Sequence, residues 1–298
     1  MPSANKPSPE TLGEIFRFAV RRFQAGRLAY GHGTTNARDE AAFLLLEGLG
    51  LPIDRLDPYL DLRPTAEERA RLLTLIDART DLRLPAPYLV GAAYMHGVRF
   101  ESDRRALVPR SFIGDMLADG VLPIGDPGRI KRILDLCTGS GCLAVLAALT
   151  FPRAQIDAAD LSAGALALAR TNVANHRFDD RITLHRGDLF APLGARRYDL
   201  IISNPPYVDA RGMARLPPEY RHEPRMALAA GADALDLVRR ILAEASRYLT
   251  RHGALLCEIG RGRRALEAAF PKLPFLWLDT EHSEGEVFWL PAADLKGR

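Results

Sequence analysis

The chain has 298 residues, of which 26% are charged and 47% hydrophobic, and its formal net charge is +3. That length allows one large domain plus a smaller one, and the mixed composition excludes a disordered or low-complexity chain. Arg supplies most of the positive charge, since Lys stands only at Lys6, Lys131, Lys272 and Lys296; so mild a balance suits an acidic partner without requiring one.

Cys137, Cys142 and Cys257 are odd in number and lack a framework spacing, which argues against a disulfide scaffold. No His pair accompanies them, so no metal site is expected. The start, Met1 to Glu10, is polar and rich in Pro and Ser, with no apolar core after a basic beginning, and no signal peptide is expected. The longest apolar stretch, Leu143 to Phe151, falls short of the roughly 20 residues a membrane span needs. The expectation is a cytoplasmic chain with no membrane partner.

Helical spacing of Leu12, Ile15, Phe16, Ala19, Val20 and Phe23 predicts a helix over 9–25, stopped by Gly26. A Gly-rich turn, Tyr30-Gly31-His32-Gly33-Thr34, follows. Asn36 caps the next predicted helix, with Asp39 and Glu40 in its first turn. A third helix is expected over 66–78, and Pro85 and Pro87 end this small helical domain, placed at 1–87. Residues 88–110 read as a β-hairpin linker around Gly97, closed by Val108-Pro109-Arg110-Ser111, which starts a helix.

Residues 111–298 form the third region. Strands are predicted at 133–136, 156–159, 182–185, 200–203 and 254–259, with helices at 142–150, 163–175 and 235–249. Such alternation implies a mostly parallel sheet covered on both faces. Two late strands, 275–279 and 286–290, supply an antiparallel edge and bring the expected sheet to seven strands.

Three features mark a nucleoside-type site. In Asp135-Leu136-Cys137-Thr138-Gly139-Ser140-Gly141, a strand runs into a Gly turn and then a helix, so the backbone can approach a ligand beside free N–H groups. The spacing is not G-x-G-x-x-G, because no glycine stands three residues after Gly141. Asp160 ends the next strand, where a carboxylate accepts both ribose hydroxyls or, alternatively, serves as a helix N-terminal acid before Ser162. In Gly187-Asp188-Leu189-Phe190, Asp188 is placed to accept from an exocyclic amine, while Leu189 and Phe190 either pack on a base or belong to the core.

Ile201-Ile202-Ser203-Asn204-Pro205-Pro206-Tyr207 is the most specific segment. A rigid loop would account for most lone Asn-Pro pairs. Here the motif follows the fourth predicted strand, at the sheet end where such folds bind ligands. Asn204-Pro205-Pro206-Tyr207 resembles the signature of methyltransferases that act on nitrogens attached to planar groups. Such a nitrogen is a poor nucleophile because its lone pair is delocalised. The Asn204 side-chain oxygen and the Pro205 carbonyl can each accept one N–H. Pro206 restricts Pro205 to an extended conformation, and Tyr207 offers a flat face.

Across nearly its whole length the chain resembles the protein-(glutamine-N5) methyltransferase family. The resemblance implies a class I Rossmann-like domain preceded by a helical domain and a hairpin. It implies S-adenosyl-L-methionine as cofactor, held by Asp135, Cys137, Thr138, Gly139, Ser140, Gly141, Asp160, Asp188, Leu189 and Asn204. It also implies Asn204, Pro205, Pro206 and Tyr207 as the catalytic group. Tyr30–Thr34, Val108–Ser111, Asp135–Gly141 and Glu219-Tyr220-Arg221-His222-Glu223-Pro224 resemble the ribosomal-protein branch. That branch implies large-subunit ribosomal protein L-three, or an assembling ribosomal particle, as partner. The release-factor branch has Trp where Leu189 stands and Gly where Cys137 stands. A release factor, or an adenine or guanine amine in a nucleic acid, is the alternative substrate. Direct nucleic-acid contact is permitted by the resemblance but not required.

Overall fold

Local signals explain most of the first elements. The structure is a computed structural model and describes residues 9–281 and 283–295. Helix α1 (Leu12–Ala25) starts in a capping box, with the Thr11 hydroxyl accepting from Glu14 N and the Glu14 carboxylate accepting from the Thr11 N–H. The predicted apolar positions Leu12, Ile15, Phe16, Ala19 and Phe23 are its buried face. Asn36 caps α2 (Ala37–Leu49), accepting from Arg38 N and Asp39 N at 3.0 Å each. Thr65 and Glu68 form the capping box of α3 (Ala66–Asp81), which runs three residues past its predicted end. Pro87 does not end the helical region: it sits in the first turn of a short helix, α4 (Ala86–Val90), where its missing N–H costs nothing.

The chain divides into two compact units, and the division differs from the expected boundaries at 87/88 and 110/111. One unit runs to Ala93 and takes in Pro217–His222; the other comprises Tyr94–Leu216 and the chain from Glu223 onward. The returning segment joins the helices because Glu219 finds its partners there. Its Oε1 accepts from Ala29 N at 3.0 Å and from Arg83 Nη1 at 2.8 Å. Arg79, fully buried, donates to Glu40 Oε1 at 2.5 Å and to the Ala29 carbonyl at 2.9 Å. The Gly-rich turn of 30–34 is explained in the same unit. A Cβ on Gly31 would lie 2.4 Å from the Tyr220 hydroxyl, and the His32 ring packs on Tyr220 at 4.4 Å.

The hairpin, β1 (Ala92–Met95) and β2 (Val98–Glu101), turns at His96 and Gly97, both at positive φ. Most of it belongs to the larger unit. Helix α5 (Phe112–Asp119) then starts at Ser111, whose hydroxyl accepts from Ile113 N. Strand β3 (Arg132–Leu136) leads to α6 (Cys142–Thr150), β4 (Gln155–Asp160), α7 (Ala163–Asn175), β5 (Ile182–Arg186) and β6 (Tyr198–Ser203). After α8 (Ala210–Arg215) come α9 (Asp236–Tyr248), β7 (Leu249–Glu258), α10 (Arg263–Ala269), β8 (Leu276–Thr280) and β9 (Ser283–Pro291).

The seven strands lie in the order β5-β4-β3-β6-β7-β9-β8. The β3, β4, β5, β6 and β7 pairings are parallel, whereas β9 runs antiparallel to β7 and β8. This is the expected class I Rossmann-like sheet. Ile133, Ile156 and Leu200 belong to one apolar cluster, and Leu134, Ile201 and Leu255 to another, so helices cover the sheet on both faces. The chain moves outward from β3 to β4 and β5, then returns to the other side of β3 as β6. That reversal leaves a crevice at the carboxyl ends of β3 and β6, where open α/β sheets bind ligands. No helix among the described residues is long and apolar enough to cross a membrane.

Candidate active site

A cavity opens at this topological switch, and every residue that lines it lies in the larger unit. Its floor is the turn after β3. Cys137, Gly139 and Gly141 take φ values of 60°, 56° and 80°, and Thr138 N donates to the Ala159 carbonyl at 3.1 Å. The glycines serve different ends. A Cβ on Gly141 would come within 3.1 Å of Ala169 Cβ, so Gly141 lets α6 and α7 approach. A Cβ on Gly139 would meet nothing within 4 Å, so that backbone faces open space able to receive a ligand.

Cys137, Thr138, Gly139 and Ser140 line the cavity. Gly141 and Asp135 do not. Asp135 is fully buried behind the turn and accepts from the Thr138 hydroxyl at 2.5 Å. Burial pushes its pKa up to about 7 against the lowering effect of that hydrogen bond. Asp135 therefore shapes the turn from behind and does not face the cavity.

Asp160, at the end of β4, lines the cavity beside the turn. It accepts from Gly139 N at 2.9 Å and from Ser162 N at 2.8 Å. Asp160 thus braces the turn and the helix start, and its carboxylate retains lone-pair capacity beyond these two bonds. Burial raises its pKa. Asp188 also lines the cavity, exposed and paired with Arg240 at 2.7 Å. Leu189 and Phe190 separate. Leu189, at φ 46°, forms cavity wall, whereas Phe190 stacks on Tyr248 at 4.5 Å in the core.

The fourth wall comes from the end of β6. Ser203 Oγ donates to the Leu136 carbonyl at 2.9 Å and locks β6 to β3. Asn204 and Pro206 then line the cavity, while Pro205 is buried outside its wall. Asn204 Nδ2 lies 3.4 Å from the Arg110 carbonyl. Because a carbonyl only accepts, this contact assigns the amide: nitrogen toward Arg110, oxygen turned away from it. Among the described residues no hydrogen bond reaches Asn204 Oδ1. Tyr207 lies outside the cavity wall. Its hydroxyl donates to Glu258 Oε1 at 3.0 Å, and its ring occupies the space that a Cβ on Gly260 would enter at 2.8 Å. Burial, and then the neighbouring Glu258 carboxylate, hold its pKa well above the usual value.

Two supports of this site were not anticipated from the sequence. Asn172 of α7 is fully buried and donates from Nδ2 to the Ser140 carbonyl at 2.9 Å. Glu258, at the end of β7, is 1% exposed and accepts from Ser111 Oγ, Phe112 N and Tyr207. A carboxylate ending a long apolar strand of a parallel sheet is a signal that could have flagged it. His222 caps no chemistry: its Nε2 contacts the Leu82 carbonyl at 2.9 Å.

Residues 122–216 match the family model of the methyltransferase small domain. The ribosomal protein uL3 glutamine methyltransferase of Bradyrhizobium diazoefficiens is 56% identical over 292 residues, covering 96% of this chain and 92% of its own. The enzyme of the same name from Bordetella pertussis is 52% identical, covering 99% of each. This chain belongs to the ribosomal protein uL3 glutamine methyltransferase family. Among solved structures, the hMettl16 catalytic domain in complex with a MAT2A 3′UTR hairpin superposes with a TM-score of 0.51. It covers 80% of this chain and 83% of its own, at 18% identity, which speaks to the fold alone. As a uL3 glutamine methyltransferase family member the chain is an enzyme, and Asn204 and Pro206 of its 204–207 motif line the same cavity as the Gly-rich turn.

Proposed function

We propose that this enzyme transfers a methyl group from S-adenosyl-L-methionine to the side-chain amide nitrogen of a glutamine in ribosomal protein uL3. The products are N5-methylglutamine and S-adenosylhomocysteine. The reading is carried by one observation: Asn204 stands in the same cavity wall as the Gly139 turn and Asp160. A group that handles an amide thus adjoins a surface suited to a nucleoside.

The residues fit the cofactor. Gly139 leaves room for it, and Asp160 retains lone pairs for the ribose hydroxyls. Leu189 offers an apolar face to the adenine, and Asp188 accepts from its amine. When bound, S-adenosylmethionine supplies a methyl group activated by its positive sulfur. The chain's own task is the amide. On this reading Asn204 Oδ1 accepts one amide N–H from the cavity wall, and the carbonyl of Pro205, a residue buried beside that wall, is the second acceptor only if the substrate amide reaches past the lining residues. Two acceptors hold the nitrogen, restrict its rotation and favour the lone pair pointing out of the amide plane. Catalysis of this kind is alignment, worth about 7–11 kcal/mol at its upper range. No strong base is required, because the nitrogen becomes acidic only as the new bond forms.

The partner is uL3, free or within an assembling particle, and on this reading the enzyme works in the cytoplasm. The test is the intact mass of the large-subunit proteins from cells with and without the enzyme, with purified enzyme and labelled cofactor added back. The expected result is uL3 lighter by one methyl group in the deficient cells and labelled on a glutamine after addition. An unchanged uL3 mass, or label found in RNA or in a release factor, would overturn the assignment.

A further inference from the structure

Two buried carboxylates grip one short segment of the chain from opposite ends. Glu223, whose side chain has no exposed surface, accepts from Val108 N at 3.0 Å. The same carboxylate takes the Arg110 guanidinium in a two-pronged pair, Nη1 to Oε1 and Nη2 to Oε2, both at 2.7 Å. In the next two residues, Glu258 Oε2 accepts from Ser111 Oγ at 2.6 Å and from Phe112 N at 3.0 Å. Its other oxygen takes the Tyr207 hydroxyl. Buried carboxylates are costly unless fully partnered, and this one segment supplies both residues with several of their partners.

Between the two grips stands the Arg110 carbonyl, the acceptor for Asn204 Nδ2. At 3.4 Å the contact is near the outer limit of a hydrogen bond, so a small displacement of that carbonyl decides whether the amide is held. The contacts close into a ring. Asn204 leads through the Arg110 carbonyl to Ser111 and Phe112, then through Glu258 to Tyr207, and back along the chain to Asn204.

We propose that Glu223 and Glu258 are positioning residues, which hold Val108–Phe112 so that the Arg110 carbonyl fixes the orientation of the Asn204 amide. The inference rests on the reading that Asn204 presents the substrate amide. Neither carboxylate lines the cavity, so neither touches the reacting atoms. A free Asn204 side chain would sample both amide orientations, and one of them presents N–H groups where acceptors are needed. The segment removes that choice.

The experiment compares Glu223→Gln and Glu258→Gln with the unaltered full-length enzyme, using purified uL3 and labelled S-adenosylmethionine. Misplacement of this kind lowers kcat by about 10- to 100-fold. The KM for uL3 and the dissociation constant of S-adenosylhomocysteine stay within a few fold. The decisive readout is coupling. In an Asn204→Ala background, measured in single turnover, each Gln substitution is expected to cost nothing further. If either carboxylate variant fails to fold, Arg110→Lys breaks the two-pronged pair and Ser111→Ala removes one donor to Glu258; the same coupling to Asn204 is expected. Full additivity with Asn204→Ala, or unaltered kcat in these variants, would overturn the inference. An Asn204→Ala enzyme with ordinary turnover would instead overturn the reading on which it rests.

Discussion

The Asn172 side chain and the Ser140 carbonyl meet at 2.9 Å across the crossing of α7 and the Gly-rich turn. The same side chain grips β2, donating to the Glu101 carbonyl at 3.2 Å and accepting from Glu101 N at 2.7 Å. One buried amide thus ties hairpin, helix and cofactor turn together, and all three of its hydrogen bonds go to backbone. Replacing it with Ala leaves the buried Ser140 carbonyl unpartnered, at about 1–3 kcal/mol, and frees the half-buried Glu101 N–H at a smaller cost. Asn172→Ala is expected to lower the urea midpoint and to weaken S-adenosylhomocysteine binding, because Ser140 lines the cavity. Calorimetric titration checks the second effect. Unaltered affinity in the folded variant would mean that the turn holds its shape without Asn172.

The two glycines of the turn should respond differently to the same change. Alanine at either position adopts a left-handed backbone at about 1–2 kcal/mol. At Gly141 the new methyl also meets Ala169, 3.1 Å away, and separates α6 from α7. At Gly139 it projects into open space at the cavity wall. Gly141→Ala is expected to lose more stability, read as denaturation midpoint. Gly139→Ala is expected to lose more cofactor affinity, read by titration. The reverse ranking would contradict the assignment of the open face to the cofactor.

Substituting Asn204 by Ala removes one of the two proposed acceptors without touching the Gly turn. By analogy with the loss of a single oxyanion donor, turnover should fall by about 10²–10³. Cofactor affinity should stay within a few fold, since most of the cavity wall is unchanged. Rapid-quench measurement of methyl transfer to uL3 separates the two quantities. A variant that bound the cofactor poorly but turned over normally when saturated would make Asn204 a binding residue.

Much of this site is legible from local pattern, and the parts that are not have a common cause. The Gly turn, Asp160 and the 204–207 motif announce themselves because each combines an unusual residue type with the end of a predicted strand. Asn36, Ser111 and Ser162 reveal helix starts because capping depends on neighbours two or three residues away. The partners of Asn172, Glu223 and Glu258 are not legible, because they lie 32, 113 and 147 residues distant, although Glu223 stands in a noted motif and Glu258 at a strand end. Asp135 was expected to face the ligand, yet strand alternation and the Thr138 hydroxyl put it behind the turn. The domain boundary moved for the same reason: nothing near Glu219 in sequence indicates that Ala29 and Arg83 will claim it.

Burial of Asp135 predicts a specific dependence of stability on pH. Its carboxyl, ordinarily near 3.8, is pushed up to about 7 in the folded chain, chiefly by desolvation. Glu258, ordinarily near 4.5, is also pushed up to about 7, again chiefly by burial. A raised carboxyl means that the folded state binds more protons than the unfolded state between the two values. Stability contributed by these groups is therefore fully present below the unfolded values near 4 and is lost as pH rises from there to about 7. Aspartate-to-asparagine replacement keeps an oxygen for the Thr138 hydroxyl but removes the titration. Asp135→Asn is expected to flatten the fall in urea midpoint between about pH 4 and pH 7, and to gain most relative to the parent at and above about pH 7. Equal slopes for variant and parent would show that Asp135 titrates with the same pKa in the folded and unfolded chain.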